Sequence, residues 1–484
     1  MASRPIWVPS MLPTNEGSHG DHPGSIAMNR RSFLQVSAGA LGACALPLRA
    51  KALSTASRPR PSPSQLAWQR DELALFLHFG VNTFTDREWG DGREDPSMFS
   101  PSALDARQWA RAARSAGARA LILTAKHHDG FCLWPTRTTT HSVAASPWRS
   151  GQGDVVREFV DACHAEGLKA GLYLSPWDRN NPAYGDSPKY NDLYCDQLTE
   201  LLTRYGPIAE VWFDGANGEG PNGKRQVYDW PRFFGLVRRL QPDAVMFSDA
   251  GPDVRWCGNE NGTAGDPNWS MVNPDAVAFP GADAPGVTEA LQHGDRAGTV
   301  WRPAEVDVSI RPGWFYHPAE DDRVRTVDNL ENLYLSSVGR NGKLLLNVPP
   351  TRDGLLHPVD VAQLTQFRAR LTSLFEEDLA RGARRTALVV GPGSAQVELD
   401  LGRPATIGVA RLAEDITRGQ NVARYTLYGA VDRYWKVLSG GSTIGYAKLD
   451  RFEPVTVRHV RLVIEDGAVA PKDLAVKLYN PHLR

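Results

Sequence analysis

Residues 120–131 read ALILTAKHHDGF, an apolar run that ends abruptly in charged and polar side chains. A short apolar run of this kind predicts a strand that is buried on both faces. Similar runs lie at residues 73–81, 170–174, 209–213 and 244–247, and amphipathic stretches lie at 104–116, 155–166, 193–205 and 233–240. This repeated alternation of strand and helix indicates a parallel sheet with helical crossovers.

The length of the alternation predicts how the sheet is arranged. A closed α/β barrel uses about 250 residues, and the pattern here is long enough for one. Residues 251–303 are rich in Gly, Pro, Asn and Asp, and we predict long loops over one barrel end there. Regularity returns with a strand at 305–310, a helix near 329–338, a strand at 344–348 and a long helix at 359–380. The predicted fold is α/β, a TIM-like (β/α)8 barrel with possible irregularities, over residues 65–383.

The C-terminal part of the chain has a different pattern of apolar and polar residues. From about residue 385, short alternating runs separated by turn residues replace the helical pattern, for example at 395–401, 425–430, 435–439 and 459–464. Such runs predict a C-terminal antiparallel β-sandwich over residues 384–484. We interpret its aromatic residues as core residues, in preference to a sugar-binding platform. These residues are Tyr425, Tyr428, Trp435 and Tyr446.

The N-terminal residues resemble an export signal. Residues 29–35 read NRRSFLQ, a mild apolar run follows at 36–48, and AKA at 50–52 is a small-residue cleavage site. This pattern is typical of a twin-arginine signal. We therefore interpret 1–53 as an upstream extension with a signal, and 54–64 as a linker. The mature protein is expected in the periplasm or secreted, with possible lipidation at Cys44 in the sequence LGAC.

Charge and cysteine content exclude several classes of partner. The chain has 54 Lys and Arg against 55 Asp and Glu among its 484 residues, so no basic excess favours nucleic acid. No apolar run is long enough to predict a membrane span. The cysteines of the mature chain lack zinc-type spacing and are predicted to be buried thiols, at Cys132, Cys163, Cys195 and Cys257. The sequence does not indicate the oligomeric state.

Polar residues that end apolar runs are candidates for the site, because barrel chemistry occurs at the carboxyl ends of the strands. His78 ends the first run, and Tyr173 closes the third. Trp212 and Asp214 share one face of the fourth run because strand side chains alternate. Asp214, followed by Gly215 at a sharp turn, is placed as a nucleophile would be. A helix N-cap is the alternative interpretation of Asp214.

The paired histidines do not favour a metal site. His127 and His128 are adjacent, and adjacent residues of a strand point to opposite sides. No carboxylate partner at helical spacing completes a ligand set, so we expect neither a metal nor a cofactor. Hydrogen bonding to neutral hydroxyls suits this pair better, and a structural pair bonded to the backbone is the alternative.

Four motifs in order carry a family resemblance: HFG at 78–80, EW at 88–89, KHHDGF at 126–131 with Trp134, and WFDG at 212–215. From about residue 66 onward the chain resembles the α-L-fucosidases of glycoside hydrolase family 29. The resemblance implies that Asp214 is the nucleophile. It also implies that the sugar is contacted or enclosed by His78, Glu88, Trp89, His127, His128, Tyr173 and Trp212.

Two further segments resemble one branch of that family. Residues 253–260, DVRWCGNE, are similar to the segment that holds the acid/base Glu in the branch that cleaves α-1,3 and α-1,4 linkages. This implies Glu260 as acid/base. Residues 305–314, EVDVSIRPGW, also resemble that branch and imply that Trp314 lies near the sugar. Arg255 either contacts the sugar or ties its loop to another part of the protein.

The implied activity is exo-acting, retaining hydrolysis of terminal L-fucose from a fucosylated oligosaccharide or glycoconjugate. Retention needs two carboxylates about 5 Å apart, and partial desolvation beside Trp256 is expected to raise the pKa of Glu260. Other acids near strand ends remain alternatives for the acid/base: Glu88, Asp129, Asp249 and Glu305. Alternative functions are a broad-specificity fucosidase, a non-catalytic protein that binds fucosylated glycans, and a metal-dependent hydrolase.

Overall fold

The protein is described from a computed structural model, and the description extends over residues 58–481. The predicted twin-arginine segment and Cys44 lie outside the described residues. Within that range, none of the helices is both long and apolar enough to cross a membrane.

A closed barrel of eight parallel strands forms the first part of the described chain. Its strands follow one another in chain order around the barrel, and the last strand pairs with the first. They are β1 Leu73–Leu77, β2 Ala120–Lys126, β3 Lys169–Leu174, β4 Glu210–Trp212, β5 Val245–Ser248, β6 Val254–Trp256, β9 Ala304–Ser309 and β10 Lys343–Asn347. A separate antiparallel pair consists of β7 Met271–Val272 and β8 Val300–Trp301. The predicted barrel is confirmed.

Helices surround the barrel: α1 Pro63–Asp71, α2 Val81–Thr85, α3 Ala106–Ala116, α4 Val155–Ala165, α5 Ser187–Arg204, α6 Trp230–Leu240, α7 Val287–His293, α8 Val327–Ser337 and α9 Pro358–Leu374. Helix α1 begins inside the stretch predicted as linker, and α9 ends before residue 380, where we predicted its end. No helix connects β5 to β6, so the barrel is irregular at this point.

The prediction of long loops at 251–303 is wrong in part, because β6, β7, α7 and β8 lie there between the loops. Strand β6 has only three residues, which is too short to produce a recognisable period. Its pairing with β5 and β9 closes the barrel, and this long-range pairing is what makes it a strand.

Strand side chains alternate between the lumen and the helical layer. Leu73, Leu75 and Leu77 belong to the large cluster packed against the helices, whereas Phe76 belongs to the cluster inside the lumen. Tyr173 and Trp212 lie in the same lumen cluster. Because of this two-residue period, the polar residues that continue the inward-facing positions beyond each strand end lie at the mouth of the lumen.

The lumen floor, defined here as Trp68, Glu210, Glu305 and Lys343, contains buried charge. The Lys343 ammonium lies 3.0 Å from Glu210 Oε2 and 4.5 Å from the centre of the Trp68 ring, and the Trp68 indole also donates to Glu210. Burial and the neighbouring Glu210 raise the pKa of Glu305 well above its ordinary value. The floor therefore places one ammonium near two buried carboxyl groups, since Lys343 Nζ also lies 3.9 Å from Glu305 Oε1.

The C-terminal part is an antiparallel β domain, which confirms the second half of the predicted fold. Its strands are β11 Arg384–Gly391, β12 Ser394–Glu414, β13 Val422–Val431, β14 Tyr434–Gly441, β15 Lys448–Gly467 and β16 Leu474–Tyr479. The long strands β12 and β15 pair along their length with a register shift near residues 400–405, and their inward side chains share one hydrophobic cluster.

Two of the predicted core aromatics are polar anchors as well as apolar contacts. Tyr425 is buried and donates to Asp450, and the Tyr446 hydroxyl donates to Glu72 at the start of the barrel. In contrast, Tyr434 at the start of β14 is 79% exposed, and Trp435 stacks on Arg461. The four cysteines of the described chain are free and buried, as predicted.

Candidate active site

Asp214 lies just beyond the end of β4, at the mouth of the lumen. Its Oδ1 accepts from the backbone N–H of Ala216 at 2.8 Å, and its Oδ2 accepts from the Tyr173 hydroxyl at 3.0 Å. Nε2 of His128 lies 3.7 Å from the same Oδ2. Two neutral donors, the Ala216 N–H and the Tyr173 hydroxyl, thus hold the carboxylate, and its side chain is 26% exposed.

Gly215 is required by the close approach of a neighbouring loop. A Cβ at this position would lie 2.3 Å from Asp249 Oδ2 and 2.5 Å from the backbone nitrogen of Gly281. The Gly281 N–H donates to that Asp249 oxygen at 2.8 Å. The loop around Gly281 is therefore fastened directly beside the nucleophile candidate.

His128 has a defined neutral tautomer. Its Nδ1 lies 2.7 Å from the Ser175 hydroxyl, which donates its single proton to the backbone carbonyl of Trp177. Nδ1 of His128 must therefore donate, and in the neutral ring Nε2 is an acceptor that faces Asp214. Burial lowers the pKa of His128, although Asp214 opposes this shift.

His78 is oriented by Asn347 at the end of β10. The Asn347 amide donates to Ser309 and to the Trp314 carbonyl, so its Oδ1 accepts from Nδ1 of His78 at 2.8 Å. Burial lowers the pKa of His78 to about 3, and the ring is neutral with Nε2 free to accept. Sequence reasoning missed Asn347 and Ser175, although each ends or directly follows an apolar strand.

His127 and His128 lie on the same side, so the prediction that they point to opposite sides is wrong. Strand β2 ends at Lys126, and the two ring centres are 4.1 Å apart in the following loop. The His127 ring also stacks near Tyr173 at 5.8 Å. Burial lowers the pKa of His127 well below its ordinary value. Both histidines therefore line one cavity in their neutral forms.

Glu260 follows β6 and approaches the cavity from another side. Its carboxylate accepts a hydrogen bond from the Trp314 side chain. Solvent reaches Glu260, yet the surrounding loops still desolvate its carboxylate. This burial, together with the charges of Asp214 and Glu88, raises the pKa of Glu260 to about 7. Asp214 is therefore close enough to Glu260 to influence its ionisation.

Trp314 forms a wall of the cavity, and Glu88 fixes its loop. The Trp314 ring lies 5.1 Å from the His78 ring. The two Glu88 oxygens accept from the backbone N–H groups of Trp314 and Phe315, at 2.5 and 3.2 Å. Glu88, predicted as a sugar contact, thus holds the loop that carries Trp314.

Three other aromatic side chains complete the surroundings of the cavity. Trp89 is 50% exposed at the rim, with its ring 6.4 Å from that of His128. Trp212 is buried below the cavity and stacks on Phe247 at 3.9 Å. The Trp177 ring lies 5.0 Å from His128. Apolar faces thus surround the polar groups, as in sites that bind sugars.

Arg255 is not brought to the cavity, which corrects its prediction as a sugar contact. The side chain is 2% exposed, and its guanidinium donates to Asn268 and to the backbone carbonyls of Leu291 and Arg302. Because all three of its nitrogens are engaged, Arg255 ties helix α7 to the loops at Asn268 and Arg302, between β6 and β9. The alternative interpretation of this residue, a loop tie, matches these contacts.

The other acids considered for the acid/base role have different surroundings. Asp129 is buried and accepts from the backbone N–H of Phe131, Asp249 accepts from Gly281, and Glu305 lies at the lumen floor. Burial raises the pKa of Asp129 and of Asp249 to about 7 in each case. Asp214 raises the pKa of both Asp249 and Glu260, and Glu260 differs in that its carboxylate also accepts from the Trp314 side chain.

An acid with a raised pKa and a second carboxylate that influences it, among aromatic side chains and histidines at the carboxyl end of a parallel barrel, are the groups that a glycoside hydrolase uses. Within residues 58–481, no three His, Cys, Asp or Glu side chains are grouped to hold a metal ion.

The family model described as Alpha-L-fucosidase matches residues 88–372. Alpha-L-fucosidase 1 of Arabidopsis thaliana is 42% identical over 452 residues, which cover 87% of each chain. The chain belongs to the α-L-fucosidase family, glycoside hydrolase family 29.

Two solved structures show the same architecture. A glycoside hydrolase 29 family member from an unknown rumen bacterium is 40% identical, with a TM-score of 0.82 over 88% of this chain and 78% of that chain. A Ruminococcus gnavus GH29 fucosidase in complex with fucose is 30% identical, with a TM-score of 0.77 over 88% of this chain and 96% of that chain.

Proposed function

We propose that the protein is an exo-acting, retaining α-L-fucosidase that removes terminal α-1,3- or α-1,4-linked L-fucose by double displacement. The observation that supports this proposal is that Asp214 influences the ionisation of Glu260 while the surroundings of the two acids differ. Asp214 accepts from Tyr173 and Ala216, whereas the pKa of Glu260 is raised to about 7 by burial and by Asp214. A pair of acids with such different environments suits the roles of nucleophile and proton donor.

In the first step, an Asp214 oxygen forms a bond to the anomeric carbon while the glycosidic C–O bond breaks. The proton of Glu260 moves to the departing oxygen, and a fucosyl ester on Asp214 results. In the second step, Glu260 takes a proton from water as the water oxygen bonds to the anomeric carbon. The ester bond breaks, fucose leaves, and Asp214 and Glu260 return to their starting states.

Neutral histidines would bind the hydroxyl groups of the ring. His78 and His128 each donate through Nδ1 to the protein, so each keeps Nε2 as an acceptor. A sugar hydroxyl can then donate to the histidine and accept from another group. Such contacts can strengthen as the ring flattens in the transition state. The fucose complex of the R. gnavus relative supports fucose as the bound sugar.

The linkage preference is supported by the two segments that resemble one branch of the family. Residues 253–260 supply Glu260, and residues 305–314 supply Trp314, which donates to it. Product analysis with a panel of α-1,2-, α-1,3-, α-1,4- and α-1,6-fucosylated oligosaccharides tests the preference. We expect release from the α-1,3 and α-1,4 compounds. Equal rates on all four would favour the broad-specificity alternative, and binding without release would favour a glycan-binding protein.

Azide trapping tests the role of each carboxylate separately. Asp214→Gly with an activated aryl fucoside and azide should form β-L-fucosyl azide, because azide attacks from the side of the missing nucleophile. Glu260→Gly should instead form α-L-fucosyl azide, because azide intercepts the fucosyl ester on Asp214. Formation of the same anomer by both variants would contradict the two assigned roles.

We also propose export through the twin-arginine signal, with the mature chain outside the cytoplasm. The proposal is supported by NRRSFLQ at 29–35 and by the cleavage-like AKA at 50–52. Replacing Arg30 and Arg31 by Lys should retain the precursor in the cytoplasm, as measured by cell fractionation. Export of the variant at the original level would contradict a twin-arginine route.

A further inference from the structure

We infer that His317 is a positioning residue for the acid/base: it clamps Glu88, which holds the loop from which Trp314 reaches Glu260. This inference rests on the proposed role of Glu260. It concerns a residue outside every motif considered in the sequence, and one that does not itself border Asp214.

Both ring nitrogens of His317 face carboxylates. Nδ1 lies 2.9 Å from Asp86 Oδ1, and Nε2 lies 3.0 Å from Glu88 Oε2. An ionised carboxylate can only accept hydrogen bonds, so each of the two nitrogens must donate. The geometry therefore requires the doubly protonated ring, a cation between two anions. The side chain is 17% exposed, which limits competition from water.

The clamp reaches the acid/base through a short series of contacts. Glu88 accepts from the backbone N–H groups of Trp314 and Phe315, and the Trp314 side chain donates to Glu260. Gly313, the residue before Trp314, lies against Glu88 and His317. A Cβ at this position would be 2.9 Å from Glu88 Oε2 and 3.3 Å from His317 Nε2. The loop is thus pressed against the clamp.

A second anchor holds the same loop from the barrel side. Asn347 donates to the Trp314 carbonyl at 2.8 Å, and the Ser309 hydroxyl donates to the Gly313 carbonyl at 2.7 Å. These bonds fix one edge of the loop to β9 and β10. Glu88 fixes the other edge, so the orientation of the Trp314 ring depends on both anchors.

The charges that face His317 come from several elements. Asp86 follows α2, Glu88 lies in the next loop, and Glu320 lies in the turn after His317. Arg352 approaches Asp86 at 3.8 Å from the loop after β10. Burial lowers the pKa of His317, but the hydrogen bonds to Glu88 and Asp86 outweigh it and raise the pKa overall. Without the cation, Asp86 and Glu88 would be like charges held close together.

The test uses leaving groups that differ in their need for a proton. His317→Gln should lower kcat/KM about 10- to 100-fold for an α-1,3/1,4-fucosylated oligosaccharide, because its alkoxide leaves only when protonated. For 2,4-dinitrophenyl α-L-fucoside, whose phenolate leaves unaided, we expect a loss under about threefold. Glu260→Gln, which removes the acid itself, shows how large the difference in loss between the two substrates becomes when no proton is donated. The double variant should lose no more on the oligosaccharide than Glu260→Gln alone.

Matched variants separate positioning from folding. His164→Gln, at an exposed position near the end of α4, should change neither rate. Should His317→Gln fail to fold, Asp86→Asn removes the negative charge at the 51% exposed end of the clamp while its amide oxygen can still accept from Nδ1, and it should give the same contrast between substrates at a smaller size.

Equal losses on both substrates, or none on either, would overturn the inference. A normal contrast in Glu260→Gln without one in His317→Gln would contradict the clamp alone. No contrast in Glu260→Gln would contradict the proposed function, and the inference with it.

Discussion

Both ends of the barrel lumen contain carboxylates, but the hydrogen-bond donors that hold these carboxylates differ between the two ends. At the floor, Glu210 accepts from the ammonium of Lys343 and from the Trp68 indole, and all three side chains are buried. At the mouth, Asp214 accepts from the Tyr173 hydroxyl and a backbone N–H, and Glu260 accepts from an indole. The floor matches charge with charge, whereas these contacts at the mouth come from neutral donors.

This difference separates stability from reactivity along one lumen. Removing the cation from a buried carboxylate lowers the free energy of unfolding, because an uncompensated charge then remains in the protein interior. A carboxylate held by neutral donors keeps its charge available for an electrophilic carbon, and a second acid beside it is easier to protonate. Substitutions at the floor should therefore change folding, and those at the mouth should change rates.

Asp214→Ala should give the largest effect on activity. We expect kcat to fall by about four orders of magnitude or more, because a nucleophile acts in the transition state and contributes little to packing. The urea midpoint should stay near that of the parent. Asp192→Ala, at a side chain 68% exposed on α5, is the control and should change neither quantity. A modest loss of kcat would contradict the role of Asp214.

Lys343→Met should have the largest effect on stability. It leaves Glu210 buried without its cation, and we expect a loss of about 3–5 kcal/mol in the free energy of unfolding, measured by urea titration. The kcat of the folded fraction should be unchanged, because the floor does not border the reacting atoms. Lys189→Met, on the exposed side of α5, should be nearly neutral. A stable but inactive Lys343→Met would break the distinction between the two ends.

The pH dependence of kcat/KM tests the role of Glu260 at the mouth of the lumen. The pKa of Glu260 is raised to about 7, and the first step requires its protonated form. The rate kcat/KM for an oligosaccharide should therefore fall as the pH rises through about 7. In Glu260→Gln this alkaline limb should disappear from the residual activity, because the amide does not titrate. Persistence of the limb in that variant would assign it to another group.

Trp89→Ala should have the smallest effect. The ring is half exposed at the rim, 6.4 Å from His128, and it does not contact either carboxylate in the described structure. We expect a loss of about 0.5–1.5 kcal/mol in transition-state binding, seen mainly as a higher KM. A loss comparable to that of Asp214→Ala would move the reacting centre toward the rim.

Local pattern was enough to predict most of the barrel and much of its mouth. Strand side chains alternate, so an apolar run that ends in a polar residue aims that residue at the lumen or its rim. His78, Tyr173 and Asp214 were found in this way. The same rule points to Ser175 and Asn347, which follow or end such runs and orient His128 and His78.

Other features depend on contacts between distant segments. Strand β6 has three residues and exists because β5 and β9 pair with it. Arg255 ties helix α7 to two loops, and their meeting cannot be read from spacing. The end of β2 at Lys126 decides on which side His127 and His128 lie. His317 carried no local signal, because its carboxylate partners lie more than 200 residues earlier in the chain.

The anomeric form of the first product tests most directly the claim that Asp214 and Glu260 act as a pair. Proton NMR can follow the hydrolysis of 4-nitrophenyl α-L-fucoside from its first minutes, before the released sugar equilibrates. Two successive displacements predict that α-L-fucose appears first and that the β-anomer grows in later. Initial appearance of β-L-fucose would indicate a single displacement by water and would contradict a fucosyl ester on Asp214.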